Sequence, residues 1–142
     1  MEEVNSLGDD DGHYVLFAIY DVNNLKKVND TMGHQKGDEM IKRVADMLSA
    51  SLGKYGKCFR IGGDEFVFIS TMPGIEEEFI KVNDTLTHRL GSISDGNDVV
   101  PITMAMGYSV FHDKADKSLD DVIKEADLLM YANKRTMKHR EA

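Results

Sequence analysis

Lys57-Cys58-Phe59-Arg60-Ile61-Gly62-Gly63-Asp64-Glu65-Phe66-Val67-Phe68-Ile69-Ser70 consists of two short apolar segments, 57–61 and 66–70, around a polar, glycine-rich centre. Apolar runs of strand length separated by such a tip predict a β-hairpin. The Asp64 and Glu65 carboxylates are then held on a turn, and the sheet has at least one antiparallel pair. Upstream, residues 14–20 read Tyr-Val-Leu-Phe-Ala-Ile-Tyr, a continuous apolar run that predicts a strand buried on both faces, with Asp21 directly at its end.

Helical periodicity fills the remainder. A short helix over 24–32 is stopped by Gly33, and over 38–52 Met40, Ile41, Val44, Ala45, Met47, Leu48 and Leu52 share one face. Gly53 is expected to supply a left-handed stop. A further helix over about 75–90 follows Pro73-Gly74 and ends at Gly91, with a polar turn at Asp95-Gly96-Asn97-Asp98. Residues 99–111 read as one strand interrupted at Gly107. Ser118-Leu119-Asp120-Asp121 resembles a capping box ahead of a last helix to about residue 135. The order β α α β β α β α predicts an α+β fold, with a central, mainly antiparallel sheet flanked by helices mainly on one side, in a ferredoxin-like or polymerase-palm arrangement.

Bulk composition narrows the function classes. The 142 residues suit one domain, and a net charge of −8 opposes general adhesion to nucleic acid or anionic lipid. No apolar run reaches the ~20 residues needed to cross a bilayer, so direct membrane insertion is not expected. Met1-Glu2-Glu3 lacks the basic start of a secretory signal, and the expected location is cytoplasmic, alone or as the cytoplasmic part of a larger membrane-bound protein. The single cysteine, Cys58, has no second thiol for a disulfide or zinc site and reads as a small buried apolar group.

Two carboxylate sites then stand out. Asp21 sits at a strand end, and Asp64-Glu65 follow two glycines that let the backbone approach a bulky ligand. Hard divalent ions take one or two carboxylates plus substrate phosphates. If the strand ending at Asp21 lies beside the hairpin, Asp21 and Asp64 converge on one rim and can share a magnesium ion.

Arg60-Ile61-Gly62-Gly63-Asp64-Glu65-Phe66 resembles the signature of the GGDEF-domain diguanylate cyclases. Residues 21–34 (Asp-Val-Asn-Asn-Leu-Lys-Lys-Val-Asn-Asp-Thr-Met-Gly-His), continuing to Gly37-Asp38, resemble that family's second long motif. With 102–107 and 131–134, the likeness extends over nearly the whole chain from Tyr14 onward. It implies a bacterial signalling domain with a nucleotidyl cyclase fold that condenses two GTP into cyclic di-GMP. It also implies a homodimer through facing active sites and an upstream sensory or regulatory domain. By the same resemblance, Asp21, Asp64 and the Val22 carbonyl ligate Mg2+ or Mn2+. Glu65 is a further metal contact or accepts the proton of the attacking 3′-hydroxyl. Asn29 and Asp38 read the guanine edge, with His34 nearby. Lys26, Lys134 and the backbone N–H groups around Asn24 and Leu25 hold the phosphates.

Four departures accompany the match. Asn23 stands where the family often has a second aspartate. Met137-Lys138 stands where the family usually has Gly-Arg after the last helix, so that a phosphate contact rests on Lys138 or is missing. Gly53 and Gly56 occupy the positions of an Arg-x-x-Asp site through which cyclic di-GMP inhibits many members. The opening helix and its Asp-x-Leu-Thr-Gly-Leu-x-Asn-Arg stretch are missing, so residues 1–13, with Asp9-Asp10-Asp11-Gly12, read as a truncated helix end and loop ahead of a domain over 14–142. The alternative reading is a catalytically weak or inactive domain that binds GTP or cyclic di-GMP as a regulatory module. A mononucleotide cyclase is a third, distinguished by whether ATP competes with GTP.

Overall fold

The computed structural model describes residues 14–112 and 117–141; the reading of residues 1–13 lies outside them. In chain order the elements are β1 (Tyr14–Val22), α1 (Leu25–Met32), α2 (His34–Leu52), β2 (Lys57–Arg60), β3 (Glu65–Ser70), α3 (Glu76–Arg89), β4 (Ser92–Ser94), β5 (Val99–Pro101), β6 (Met104–His112) and α4 (Leu119–Glu141). Four strands form one sheet in the order β2-β3-β1-β6, with every neighbouring pair antiparallel. The predicted α+β class with an antiparallel sheet is the observed one.

The apolar run at 14–20 is continuous because β1 is an interior strand covered on both faces. Side chains alternate along a strand. Leu16, Ala18, Tyr20 and Val22 pack into a cluster with Val28, Met40, Val44, Leu48, Phe79 and Leu86 from α1 to α3. Phe17 and Ile19 join Val67, Ala105 and the α4 residues Val122, Ala126 and Met130 on the opposite face. Three helices therefore lie on one side and α4 alone on the other. The Tyr20 hydroxyl, buried in the first cluster, donates to Asn83 Oδ1 of α3 at 2.7 Å, which removes the cost of an unpaired polar group there.

Three expectations are corrected. Residues 99–111 are not one strand. β5 ends at Pro101 and pairs with β4 in a separate two-stranded sheet, and the chain then turns through Ile102, whose N–H donates to the Gly91 carbonyl at 2.8 Å, into β6. Gly53 lies at φ −58°, ψ −30°, so α2 ends in right-handed backbone and not on a left-handed glycine. Gly107 does not interrupt β6. It lies in register opposite Ile19, and a Cβ there would overlap the Ala126 carbonyl oxygen and the Met130 nitrogen of α4. The glycine is required by close approach of a helix.

The last helix begins with a reciprocal capping box, in which the Ser118 Oγ accepts the Asp121 N–H at 3.1 Å and Asp121 Oδ2 accepts the Ser118 N–H at 3.0 Å. It extends to Glu141, past the expected end near residue 135. The edge-strand Met106 N–H donates to Asn133 Oδ1 at 2.9 Å, pinning α4 along β6.

Candidate active site

The register of β1 and β3 brings the two carboxylate sites together. Asp21 lies directly opposite Glu65, and the next rung is the Val22 N–H donating to the Asp64 carbonyl at 2.8 Å. The hairpin tip is thus tied to the end of β1. Since odd-numbered β1 side chains face α4, Asp21 meets Lys134, whose Nζ lies 2.7 Å from Asp21 Oδ2. Asp21 is only 6% exposed, and its other oxygen, Oδ1, is buried without a hydrogen-bond partner.

Burial and mutual repulsion shape the acid–base behaviour of this rim. Asp64 is raised above the usual carboxylate range by burial and then by the charge of Asp21, with Lys134 pulling the other way. Glu65 is raised by burial and then by Asp21, Asp64 and Asp127. Lys134 is raised, first through its hydrogen bond to Asp21. The folded state holds the Asp64 and Glu65 protons more tightly than the unfolded chain does, so their ionisation opposes folding and stability falls as pH rises through their raised values. Asp64→Asn is therefore expected to raise the Tm of the metal-free protein at pH 7. The gain should shrink as the pH falls through the raised folded-state value and vanish only about one unit below the ordinary aspartate value of about 3.9, where Asp64 is protonated in both states. Thermal melts of both proteins across that range check it.

An orphaned carboxylate oxygen beside two further acids fits a cation. Among the described residues no group of three His, Cys, Asp or Glu side chains is gathered so as to hold a metal ion by itself. A hard ion at this rim would have to complete its shell from main-chain carbonyls, substrate phosphate and water.

The tip itself is held by a residue whose role the sequence did not reveal. Arg60 Nε donates to the Gly62 carbonyl at 3.1 Å, and a terminal guanidinium nitrogen donates to the Gly63 carbonyl at 2.7 Å. The fork fixes both glycine peptides from the strand that precedes them, so Arg60 positions Asp64 without contacting it. Its only sequence signal was an arginine two residues ahead of paired glycines.

Arg60 also borders a cavity of about 500 Å³ between α2 and β2, walled by Ile41, Ala45, Cys58, Phe59 and Phe66, with Asp38 at its polar edge. Apolar walls with a few polar groups suit a flat heterocycle. Burial pushes the Cys58 thiol up to about 11, which keeps it protonated and unreactive. Asn29 is beside this region on α1. A Cβ at Gly37 would overlap the Asn29 side-chain oxygen, so α1 and α2 meet through that amide immediately before Asp38.

Asn24 takes left-handed backbone, φ 66°, and its carbonyl accepts the Val28 N–H at 3.0 Å, starting α1 abruptly after β1. The N–H groups of the first turn, from Leu25 on, have no intrahelical acceptor and can serve an anion. Lys26, His34, Asp38 and Lys138 are exposed. Lys138 lies one turn beyond Lys134 on α4. Asn23 is engaged structurally, its amide donating to Thr103 Oγ1 at 3.0 Å and Met137 Sδ at 3.4 Å.

The sequence matches the family described as diguanylate cyclase, GGDEF domain, over residues 2–140. It is 30% identical over 133 residues to the probable diguanylate cyclase DgcJ of Escherichia coli, covering 91% of this chain and 25% of that protein. It is 32% identical over 126 residues to the uncharacterized protein YtrP of Bacillus subtilis, covering 88% and 21%. The chain thus spans about a quarter of the length of these relatives. Among solved structures it resembles the GGDEF domain of DgcB from Caulobacter crescentus in complex with c-di-GMP, with a TM-score of 0.73, 25% identity and coverage of 87% and 74%. It also resembles diguanylate cyclase SiaD in complex with its activator SiaC from Pseudomonas aeruginosa, with a TM-score of 0.77, 26% identity and coverage of 95% and 51%. The chain belongs to the GGDEF-domain diguanylate cyclase family. No helix among the described residues is long and apolar enough to cross a membrane.

Proposed function

We propose that this domain condenses two GTP into cyclic di-GMP and two pyrophosphates, each 3′-hydroxyl attacking the α-phosphate of the nucleotide held by a facing copy. The observation that carries the reading is the convergence of Asp21, Asp64 and Glu65 on one sheet edge, with one buried carboxylate oxygen left unpaired. Asp21, Asp64 and the Val22 carbonyl would hold Mg2+ or Mn2+. Bound there, the ion would neutralise phosphate charge and lower the pKa of the attacking hydroxyl.

The chain's own groups do the rest. The first turn of α1, from Asn24 and Leu25, presents N–H groups to the phosphates, with Lys26, Lys134 and Lys138 as mobile cations. Asn29 and Asp38 select guanine, because an amide and a carboxylate together satisfy its carbonyl, ring N–H and amino group, a pattern adenine lacks. His34 borders that edge. Glu65, directly opposite Asp21 in the register, is placed to contact the ion or to accept the hydroxyl proton. Dimerisation completes the reaction, since one copy holds only one nucleotide. An upstream sensory or regulatory domain would control the pairing.

Incubating the parent protein with GTP and Mg2+ and looking for the cyclic dinucleotide tests this directly. Engagement of the Asn23 amide by Thr103 and Met137, where the family often has a second acid, favours a second reading as a GTP-binding regulatory module. Calorimetric GTP binding without product would select it.

Product inhibition separates this domain from many relatives. Gly53 and Gly56 supply neither the arginine nor the aspartate of the inhibitory site, and a Cβ at Gly56 would overlap the Ile69 carbonyl oxygen. Adding about 10 μM cyclic di-GMP is expected to change the initial rate by less than about twofold, because no charged fork is present there to bind it. Steady-state rates with added product check this.

A further inference from the structure

Lys134 and Asp21 are 113 residues apart in sequence, yet they form the shortest ion pair of the site, at 2.7 Å. The pair satisfies Oδ2 only, leaving Oδ1 buried and unpartnered. We infer that Lys134 is a resident counter-ion for Asp21 that must be displaced when a divalent cation enters, so that this lysine sets a requirement for metal and nucleotide to bind together. The inference rests on the reading of Asp21 and Asp64 as metal carboxylates, and it concerns what holds them before any ion arrives.

The root of Lys134 is fixed. Asn133 accepts the Met106 N–H at 2.9 Å, and Met130 is buried against the sheet, so α4 does not need to move. The ammonium is the movable part, a compact charge on a flexible four-carbon stem. A cation arriving at Asp21 meets this like charge at contact distance, and like charges in a partly buried site repel strongly. Metal alone must therefore expel the ammonium into water. A triphosphate offers it a second anion within reach of the same stem, and the exchange then needs no unpaired charge. By linkage, whatever the nucleotide does for metal affinity, the metal does equally for nucleotide affinity.

Mn2+ titration of the nucleotide-free protein, followed by the EPR signal of the free ion, tests this. Lys134→Gln is expected to tighten Mn2+ by about tenfold or more, whereas Lys138→Gln, one turn further along α4, should shift it less than about threefold. An unchanged affinity in Lys134→Gln, or an equal gain in Lys138→Gln, would overturn the displacement. A second measurement needs no variant: acetylation of the Lys134 amine, read by mass spectrometry, should rise when Mn2+ is added to the wild-type protein, and protection or no change would count against the inference. Asp21→Asn separates the two levels. If it leaves Mn2+ affinity untouched, the metal assignment itself fails; if it abolishes binding while Lys134→Gln has no effect, only the counter-ion role fails.

Discussion

Asp64→Asn is expected to lower the rate of cyclic di-GMP formation by about 10³-fold, equivalent to about 4 kcal/mol of transition-state stabilisation. Asparagine keeps the shape and one acceptor oxygen but removes the charge that a hard divalent ion needs. The Val22 N–H would still donate to the residue 64 carbonyl, and Arg60 would still hold the Gly62 and Gly63 carbonyls, so the tip keeps its place. The same substitution removes a carboxylate whose ionisation is opposed by burial and by Asp21, and so it should stabilise the metal-free fold at neutral pH. Opposite signs in the two measurements distinguish lost chemistry from lost structure. A variant that melts higher and still turns over GTP at the wild-type rate would remove Asp64 from the mechanism. One that melts lower would mean the tip depends on the carboxylate for its conformation.

Much of this site was legible because its parts are local. A continuous apolar run marked β1, paired glycines marked the tip of the β2–β3 hairpin, and the convergence of Asp21 with Asp64 needed only that those elements be neighbours, which their register supplies. What could not be read depends on contacts across the molecule. Nothing in spacing announces that Lys134 reaches Asp21, or that the Arg60 guanidinium returns to the glycine carbonyls. The short β4 and β5 were hidden for another reason. Three-residue strands carry too little alternation to mark them, and the apolar Val99 and Val100 run on through Pro101 to Thr103 into β6 as one strand-like stretch. Gly53 misled because glycine after a helix usually takes left-handed backbone, whereas here the chain continues right-handed into the turn before β2.

Gly107 carries the second large effect, and local and tertiary reasoning assign it opposite signs. By strand propensity alone, Gly107→Val should stabilise β6, since glycine in a strand interior is unfavourable and valine favourable by up to about 1 kcal/mol. The packing predicts the reverse. The position faces α4 so closely that the first side-chain carbon would overlap the Ala126 carbonyl and the Met130 nitrogen and lie 2.9 Å from the Leu129 carbonyl carbon. These are backbone atoms of a helix held by the Asn133 bond to β6 and by Val122, Ala126 and Met130 in the core, so they cannot rotate away as a side-chain tip would. The helix must lift as a body, opening the second core cluster, and the net cost is expected to be about 3 kcal/mol, a fall in Tm of roughly 10 °C. Because α4 also carries Lys134, the ion pair to Asp21 should loosen in whatever fraction remains folded, with weaker nucleotide binding at temperatures below the transition. A Tm equal to or above that of the wild type, measured by calorimetry, would mean that strand propensity outweighs helix approach here and that α4 is free to move away from the sheet.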